Sequence, residues 1–314
     1  MANLNGFFEV EEPKKRKKIL IFDFHNLVYR SIFVAGNEFR QRRIQTMVGE
    51  NPVDFTKDDM YLYWKSLVLN GLLYAIKENQ SDKVIIANES KNNWRKDFYS
   101  EYKATRKKAR EDSPIDFDEF FPILNEFIIE LKDLFKNVYF IQVDRCEGDD
   151  IIAVLTKKYG NNKEYEIELI STDKDFVQLQ KFDNFKQFTP IKKEYLKSLN
   201  PKRDLEIKIL TGDKSDNIPN VKYRCGVKTA EKMINEGLTE LETDEDIRKN
   251  YIRNKKIIDF DLIPDDIQDS IIKEYENYDI QPLDGAKIWE WLDGKFPKLY
   301  EDWNIFFTVM KNLS

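Results

Sequence analysis

The sequence predicts an α/β fold, a mostly parallel central sheet flanked by helices, followed by a smaller helical domain. Three observations carry this expectation. Short apolar runs that stop at polar or acidic residues recur through the first 200 residues. Segments with apolar residues three and four apart separate those runs, and strands that alternate with helices build parallel sheets. After about Pro201 the strand-like runs fade and helical spacing remains.

Residues 1–18 read as a flexible, basic lead-in. Their basic run at 14–18 suits a solubilising flank of the first strand better than a DNA contact. The run 19–22 is a strand candidate that stops at Asp23. Leu67, Val68, Leu72, Ala75 and Ile76 predict a helix over 64–76. Residues 84–87 form a second strand candidate. Ile123, Leu124, Phe127, Ile128, Leu131 and Leu134 give 120–135 an amphipathic helical face. Further strands are expected at 138–143, 167–171 and 185–188, with a helix over 149–159. The stretch 36–59 has weak periodicity and suggests no element. Beyond the boundary, 205–210, 229–235, 265–278 and 288–292 read as helices, and the apolar 303–313 segment as packing on them. The expected division is an α/β domain over 19–200 and a helical domain over 201–314.

Composition bounds the function. A chain of 314 residues with 41% hydrophobic residues, 22 Phe and 15 Tyr has a globular composition. No apolar run reaches the length of a membrane span, roughly 18 residues. The N-terminus lacks the basic-then-apolar order of a signal peptide. Cys146 and Cys225 are too few for a disulfide framework and too far apart for a metal pair, so a reducing cytosol is expected. The net charge of −6 does not exclude a nucleic-acid partner, because the charges are segregated. Residues 91–110 hold eight bases and two acids, and the next ten hold five acids and no base.

The acids carry the chemistry. The first strand ends in Asp23, and the second is followed by Glu89. The third leads to Glu147-Gly148-Asp149-Asp150, and the fourth to Asp173-Lys174-Asp175. Ligands of parallel α/β sheets bind beyond the carboxyl ends of the strands, so four segments would deliver carboxylates to one edge. Each acid also has an ordinary use. Asp23 suits a helix cap, Glu147 and Asp149 suit a helix N-terminus, and Asp173 and Asp175 suit a turn. Four such strand ends in one chain outweigh those separate uses. Clustered carboxylates repel one another and raise each other's pKa unless cations neutralise them. Magnesium or manganese takes oxygen ligands and binds phosphate as well, which points to phosphodiester hydrolysis. Asp23-Phe24-His25 lacks the second Asp of the haloacid dehalogenase pattern. His25 is the only histidine, which argues against a Ser-His-Asp triad or a multi-histidine zinc site. By residue type it reads as structural or substrate-facing.

Four segments in order resemble the 5′-nuclease (flap endonuclease) superfamily, over most of the chain from about Lys18. Asp23 with Tyr29-Arg30 is similar to the family's first metal segment. Glu147-Gly148-Asp149-Asp150 is similar to its acidic helix start, and Ser171-Thr172-Asp173-Lys174-Asp175 to its strand-to-helix pair. Thr211-Gly212-Asp213-Lys214-Ser215-Asp216-Asn217-Ile218-Pro219 is the most specific match. Trp94-Arg95-Lys96-Asp97-Phe98 and Ile257-Ile258-Asp259-Phe260-Asp261 resemble the phage members in particular.

The resemblance implies a PIN-like nuclease domain and a helix-hairpin-helix-like motif in the helical domain. It implies two Mg2+ ions, with Mn2+ as a substitute. Asp23, Glu89, Glu147 and Asp149 would serve one ion and Asp173, Asp175, Asp213 and Asp216 the other, with Asp150 beside both. It implies a basic arch near 91–110 over the active site. Arg30, Arg95, Lys103 and Arg106 would meet phosphates there, and Lys222, Arg224 and Lys228 would meet them at the hairpin. The implied activity is 5′→3′ exonuclease and flap endonuclease action on DNA and RNA–DNA duplexes. The implied role is removal of lagging-strand RNA primers in the cytoplasm of an infected bacterium. A monomer is expected, with a phage single-strand-binding protein and a sliding clamp as partners.

Two departures stand out. Where the family has Asp after the second strand, this chain reads Ala87-Asn88-Glu89, so Glu89 or Asn88 takes that place. Two of the three hairpin glycines are replaced in Asn220-Val221-Lys222-Tyr223-Arg224-Cys225-Gly226, which leaves a monovalent-cation site there open. The alternatives are a PIN-type ribonuclease, which usually lacks the 211–219 segment, and a non-catalytic DNA-structure-binding protein, which would have lost its carboxylates.

Overall fold

The structure, a computed structural model, describes residues 16–47 and 56–313. The lead-in at 1–15 and the 48–55 part of the weakly periodic stretch lie outside the described residues.

The chain opens with β1 (Lys17–Asp23), α1 (Phe24–Met47), α2 (Lys57–Asn79) and β2 (Lys83–Ala87). Two short helices follow, α3 (Trp94–Phe98) and α4 (Arg106–Glu111), then α5 (Phe117–Leu134), β3 (Tyr139–Ile141), α6 (Gly148–Tyr159) and β4 (Tyr165–Ile170). A 3₁₀ segment, Lys174–Lys181, leads to β5 (Phe185–Thr189) and β6 (Glu194–Leu196). The remainder is helical: α7 (Pro201–Thr211), α8 (Val227–Asn235), α9 (Glu240–Thr243), α10 (Glu245–Ile258), α11 (Asp265–Glu276), α12 (Gly285–Leu292) and α13 (Pro297–Met310). Asn200 caps α7 by accepting from the Arg203 N–H at 3.0 Å, and Pro201 occupies the first turn, where its missing N–H costs nothing.

The six strands run in the order β3-β2-β1-β4-β5-β6, parallel throughout except for the β5–β6 pair. The expected α/β class with a mostly parallel sheet is therefore present. The strand order reverses between β1 and β4, which opens a crevice at their carboxyl ends. Register places Asp23 opposite Ala87, and Phe22 opposite Ile170. The residues after β1, β2 and β4 thus reach one edge.

A sheet covered on both faces needs strands that are apolar throughout. In β1, Leu20 and Phe22 join a cluster with Trp64 of α2 and Phe120 and Phe127 of α5. Ile19 and Ile21 face the opposite way and pack with Ile151 and Leu155 of α6. The two-residue period of a strand produces this division.

The helices after residue 201 do not share one core. Leu210, Val221, Ala230, Met233 and Ile247 form a small cluster of their own. Phe260, Ile263, Ile267 and Ile271 instead join the α6 side of the sheet. Ile288, Leu292, Trp303 and Phe306 join the α2–α5 side. Both faces of the sheet need cover, and the C-terminal helices supply part of it. Among the described residues, the buried apolar side chains of 201–258 fall into two smaller clusters, one of them shared with Tyr102. Among the described residues, no helix is long and apolar enough to cross a membrane.

Candidate active site

Asp23 closes β1 and begins α1. Its Oδ1 accepts from the Asn26 N–H at 3.1 Å, and its Oδ2 accepts from Ser171 Oγ at 2.7 Å. The Asn26 side-chain amide donates to Thr172 Oγ1 at 2.9 Å, a second tie between the ends of β1 and β4. Asp173 accepts from the Asp175 N–H at 2.9 Å and so starts the 3₁₀ segment. The ordinary capping uses of these acids therefore coexist with a place at the sheet edge.

Asp23, Glu89, Glu147, Asp149 and Asp173 line one cavity of about 280 Å³ with Arg30, Lys103 and Arg106. Burial pushes Asp23 up to about 6, with Asp173 and Glu89 adding repulsion against the Ser171 and Asn26 hydrogen bonds. Burial raises Asp149 well above the usual carboxylate range, and the charges of Asp23 and Asp173 add to it. For Glu147 burial acts upward too, but Lys103 and Arg95 outweigh it and hold the group at about 2. Part of the acid cluster is thus neutralised by arch cations, and part is left in mutual repulsion.

At the end of β2, Asn88 is 1% exposed and its Oδ1 has no hydrogen-bond partner among the described residues. Glu89 lines the cavity instead. Of the two candidates for that position, Glu89 is the one that reaches the other acids.

The second group gathers around Lys208 on α7. Lys208 pairs with Asp175, and its Nζ lies 3.0 Å from Asp213 Oδ2. Burial raises Asp175 to about 6 even against Lys208, and Asp173 adds to the rise. Asp213 moves the other way: burial acts upward, but the Ser215 and Lys208 contacts bring it to about 2. Asp173, Asp175 and Asp213 share a groove with Lys208. Asp216 faces the arch, where Arg106 Nη2 lies 2.7 Å and Tyr102 Oη 3.2 Å from its carboxylate.

Among the described residues, no three acids close on a single metal position as the side chains stand. Lys103 lies between Glu147 and Asp216, and Lys208 between Asp175 and Asp213, so lysine ammonium groups balance acids that would otherwise repel. The donor set still fits a hard divalent cation. It consists of carboxylate oxygens, and the raised Asp23 and Asp149 are the groups a cation would relieve.

Two expected residues lie elsewhere. Arg95 is not free to meet a phosphate: it is 3% exposed and its Nη1 and Nη2 bond Asp150 at 2.9 and 2.8 Å. Its Nη1 also reaches Glu147 at 3.2 Å, and its Nε donates to the Ile257 carbonyl at 2.9 Å. Asp150, expected beside both ions, is fully buried and accepts as well from Trp94 Nε1 at 3.1 Å and the Glu147 N–H at 3.0 Å. The two residues fix the arch base against α6 and α10. Arg30 lines the cavity, and its Nη1 is buried with no hydrogen-bond partner among the described residues. At the hairpin, Arg224 and Lys228 are exposed, while Lys222 pairs with Glu240. Lys208, the bonds from Tyr102 Oη to Glu147 and Asp216, and the Asn26–Thr172 tie were not foreseen. Lys208 carried one weak signal, its place on the helix that leads into Gly212-Asp213.

Comparison with known proteins gives the geometry a context. Residues 18–206 match the family described as the 5′-3′ exonuclease, N-terminal resolvase-like domain, and residues 200–306 match the T4 RNase H C-terminal domain. The Ribonuclease H of Enterobacteria phage T4 is 34% identical over 242 residues, 69% of this chain and 78% of that protein. The thermostable DNA polymerase I of Thermus aquaticus is 32% identical over 269 residues, 82% of this chain but 28% of the polymerase. Among solved structures, the bacteriophage T5 flap endonuclease in a pseudo-enzyme–product complex with DNA and metal ions shares the fold. Its TM-score is 0.61 at 19% identity, covering 84% of this chain and all of that one (100%). The T5 5′-exonuclease with bound zinc gives 0.56 at 19% identity, covering 83% of this chain and 99% of that one.

Proposed function

Because the chain belongs to the 5′-3′ exonuclease family, we propose that it is a magnesium-dependent 5′→3′ exonuclease and flap endonuclease. Its substrates are DNA and RNA–DNA duplexes with a 5′ end or flap, and its role is the removal of lagging-strand RNA primers in phage replication, in the cytoplasm of the infected cell. One observation carries this reading: five carboxylates from four chain segments line a single cavity flanked by Lys103 and Arg106 of the arch.

Asp23, Glu89, Glu147, Asp149 and Asp173 would hold one divalent ion, and Asp175 and Asp213 with Asp173 a second. When bound, such ions neutralise the phosphodiester and make water a stronger nucleophile. The protein's own groups do the rest. Arg30, which lines the cavity, would add positive charge beside a phosphate there. Lys103 and Arg106 hold positive charge over Glu147 and Asp216, where a phosphate exchanges for an acid. The ties from Ser171 to Asp23 and from Asn26 to Thr172 keep the two strand ends in register as charge builds up. We assign duplex binding to residues 201–258, through Arg224 and Lys228.

The test is cleavage of a 5′-labelled flap and of an RNA–DNA duplex with magnesium, comparing the wild type with Asp173→Asn. Magnesium-dependent cleavage that the variant loses by two orders of magnitude or more is expected. Failure of the wild type to cleave either substrate would sink the nuclease assignment. Equal cleavage by the variant would sink the site.

A further inference from the structure

The carboxylate after β2 stands at the second residue past the strand, on a longer side chain than the Asp that the resemblance led one to expect there. Asn88 takes the first position beyond the strand and is buried, its N–H donated to the Ile141 carbonyl at 2.9 Å. The acid that lines the cavity is Glu89, about one-third exposed at 32%. A glutamate has one more rotatable bond than an aspartate, so holding its carboxylate at one point costs more side-chain entropy. Something must restrict it if it is to serve as a fixed oxygen donor.

The sole histidine stands against it. The Glu89 N–H points at His25 Nδ1, 3.4 Å away. A ring nitrogen that faces an N–H donor accepts with its lone pair, so in a neutral imidazole the proton lies on the other nitrogen. That nitrogen, Nε2, lies 3.5 Å from Glu89 Oε1. One ring therefore contacts both the main chain and the carboxylate of the same residue. The ring is itself confined, with the Phe24 ring edge-on at 6.2 Å and the Tyr29 ring tilted at 5.6 Å between centroids.

We propose that His25 is a positioning residue. Its imidazole, set as the Nε2–H tautomer by the backbone of Glu89, aims the Glu89 carboxylate into the cavity, so that a glutamate two residues past the strand serves in place of a shorter acid directly after it. The pair works as a unit: without the ring the carboxylate is free to swing, and without the carboxylate the ring has nothing to aim. This rests on the metal-dependent nuclease assignment above, since the cavity acids matter as cation ligands. Groups that orient metal ligands typically account for about 10–100-fold in metal affinity.

A chain with one histidine makes the tautomer directly readable. A long-range ¹H–¹⁵N spectrum of the uniformly ¹⁵N-labelled, metal-free protein at pH 7.5 contains a single imidazole pattern. It should be that of a neutral ring protonated at Nε2; an Nδ1–H pattern or a doubly protonated ring overturns the proposal. Mg2+ titration by calorimetry supplies the second readout. His25→Ala should bind Mg2+ about 10–100-fold more weakly than the wild type. In a Glu89→Ala background the same change should have no further effect, because the two residues act through one contact. His25→Gln, whose amide reaches the Nε2 position, should recover part of the affinity. His25→Asn, which replaces only Nδ1, should not. Wild-type affinity in His25→Ala, or an additional loss of tenfold in the Glu89→Ala background, overturns the proposal. The wild-type spectrum decides the tautomer even if a variant fails to fold. Flap cleavage by the wild type is scored separately: its absence counts against the nuclease assignment, whereas an Nδ1–H ring in a protein that cleaves counts against His25 alone.

Discussion

Replacing Arg95 by methionine separates a structural role from a phosphate contact. The guanidinium is 3% exposed and Asp150 is fully buried, joined by two bonds of 2.8 and 2.9 Å. Arg95→Met removes the cation and leaves the Asp150 carboxylate with only Trp94 Nε1 and the Glu147 N–H as donors. Breaking one side of a buried pair costs about 3–5 kcal/mol, because the remaining charge stays desolvated. The Ile257 carbonyl also loses its donor, which places the expectation in the upper half of that range. For a chain longer than 250 residues, 1 kcal/mol shifts Tm by about 2–3 °C, so a fall of about 8–15 °C is expected. Adding Asp150→Asn removes the stranded charge and should recover about half of the loss. Calorimetric unfolding measures the shift, and duplex affinity against salt concentration measures any phosphate contact. A Tm within 2 °C of the wild type, with a salt slope reduced by about one, would place Arg95 on the nucleic acid and refute the reasoning.

Asp23 and Asp175 rise from 3.8 to about 6 in the folded, metal-free protein, so the native state binds more protons than the unfolded chain between about pH 4 and 6 and loses stability as pH rises through that window. Magnesium should therefore raise Tm more at pH 7.5 than at pH 5, and equal shifts at both would contradict this; Glu147 and Asp213, held at about 2, exert their opposite effect between about pH 2 and 4.5, mostly below that window. Gly212 has φ +67° and an added Cβ would lie 2.3 Å from the Ile218 carbonyl oxygen, so Gly212→Ala should cost about 2 kcal/mol or more in urea unfolding and misplace Asp213. Arg224→Ala and Lys228→Ala should each reduce the salt slope of duplex binding by about one, measured by anisotropy, whereas Lys222→Ala should change it less because Lys222 already pairs with Glu240.

The strands and the acids at their ends were legible because they follow from local pattern. Leu20 and Phe22 alternate with Ile19 and Ile21, and a run apolar on both faces belongs in a covered parallel strand. Once β1, β2 and β4 are adjacent, Asp23, Glu89 and Asp173 must share an edge. The local caps of Asp23 and Asp173 were legible, but the side chains that pair with the acids were not, because they come from distant sequence. Arg95 lies 55 residues from Asp150, and Ser171 lies 148 residues from Asp23. A basic, aromatic stretch reads alike whether its arginine faces solvent or a buried acid. The extent of α1 was missed for a different reason: Arg40, Arg42 and Arg43 interrupt its apolar spacing, while the helix is anchored by Phe24, Val28 and Ile32 at its start. The division at 201 marked where strands end, but not that Phe260 and Trp303 return to the two faces of the sheet.

The distribution of ion pairs explains how a chain of net charge −6 is arranged for a polyanion. Two cations of the arch do not stand free over the site. Lys103 and Arg106 bond Asp216, which comes from the loop after α7, and the Lys103 N–H donates to the Asp216 carbonyl at 2.9 Å. Asn217 of the same loop donates to the Glu101 carbonyl at 2.8 Å. That loop is closed by paired hydrogen bonds between Asp213 and Ile218, and Asn254 of α10 donates to the carbonyls of Ile209 and Pro219 on either side of it. Arch, acid cluster and helical region therefore meet at one short loop. A charge placed in the cavity acts on Lys103, Lys103 bears on Asp216, and Asp216 lies in the loop that leads on to the turn carrying Arg224 and to α8, which carries Lys228. Acids at strand ends alone would make a cation site. Joined through Asp213–Pro219, they would, on the proposed function, make a site whose occupancy and grip on a duplex are bound to the same few residues.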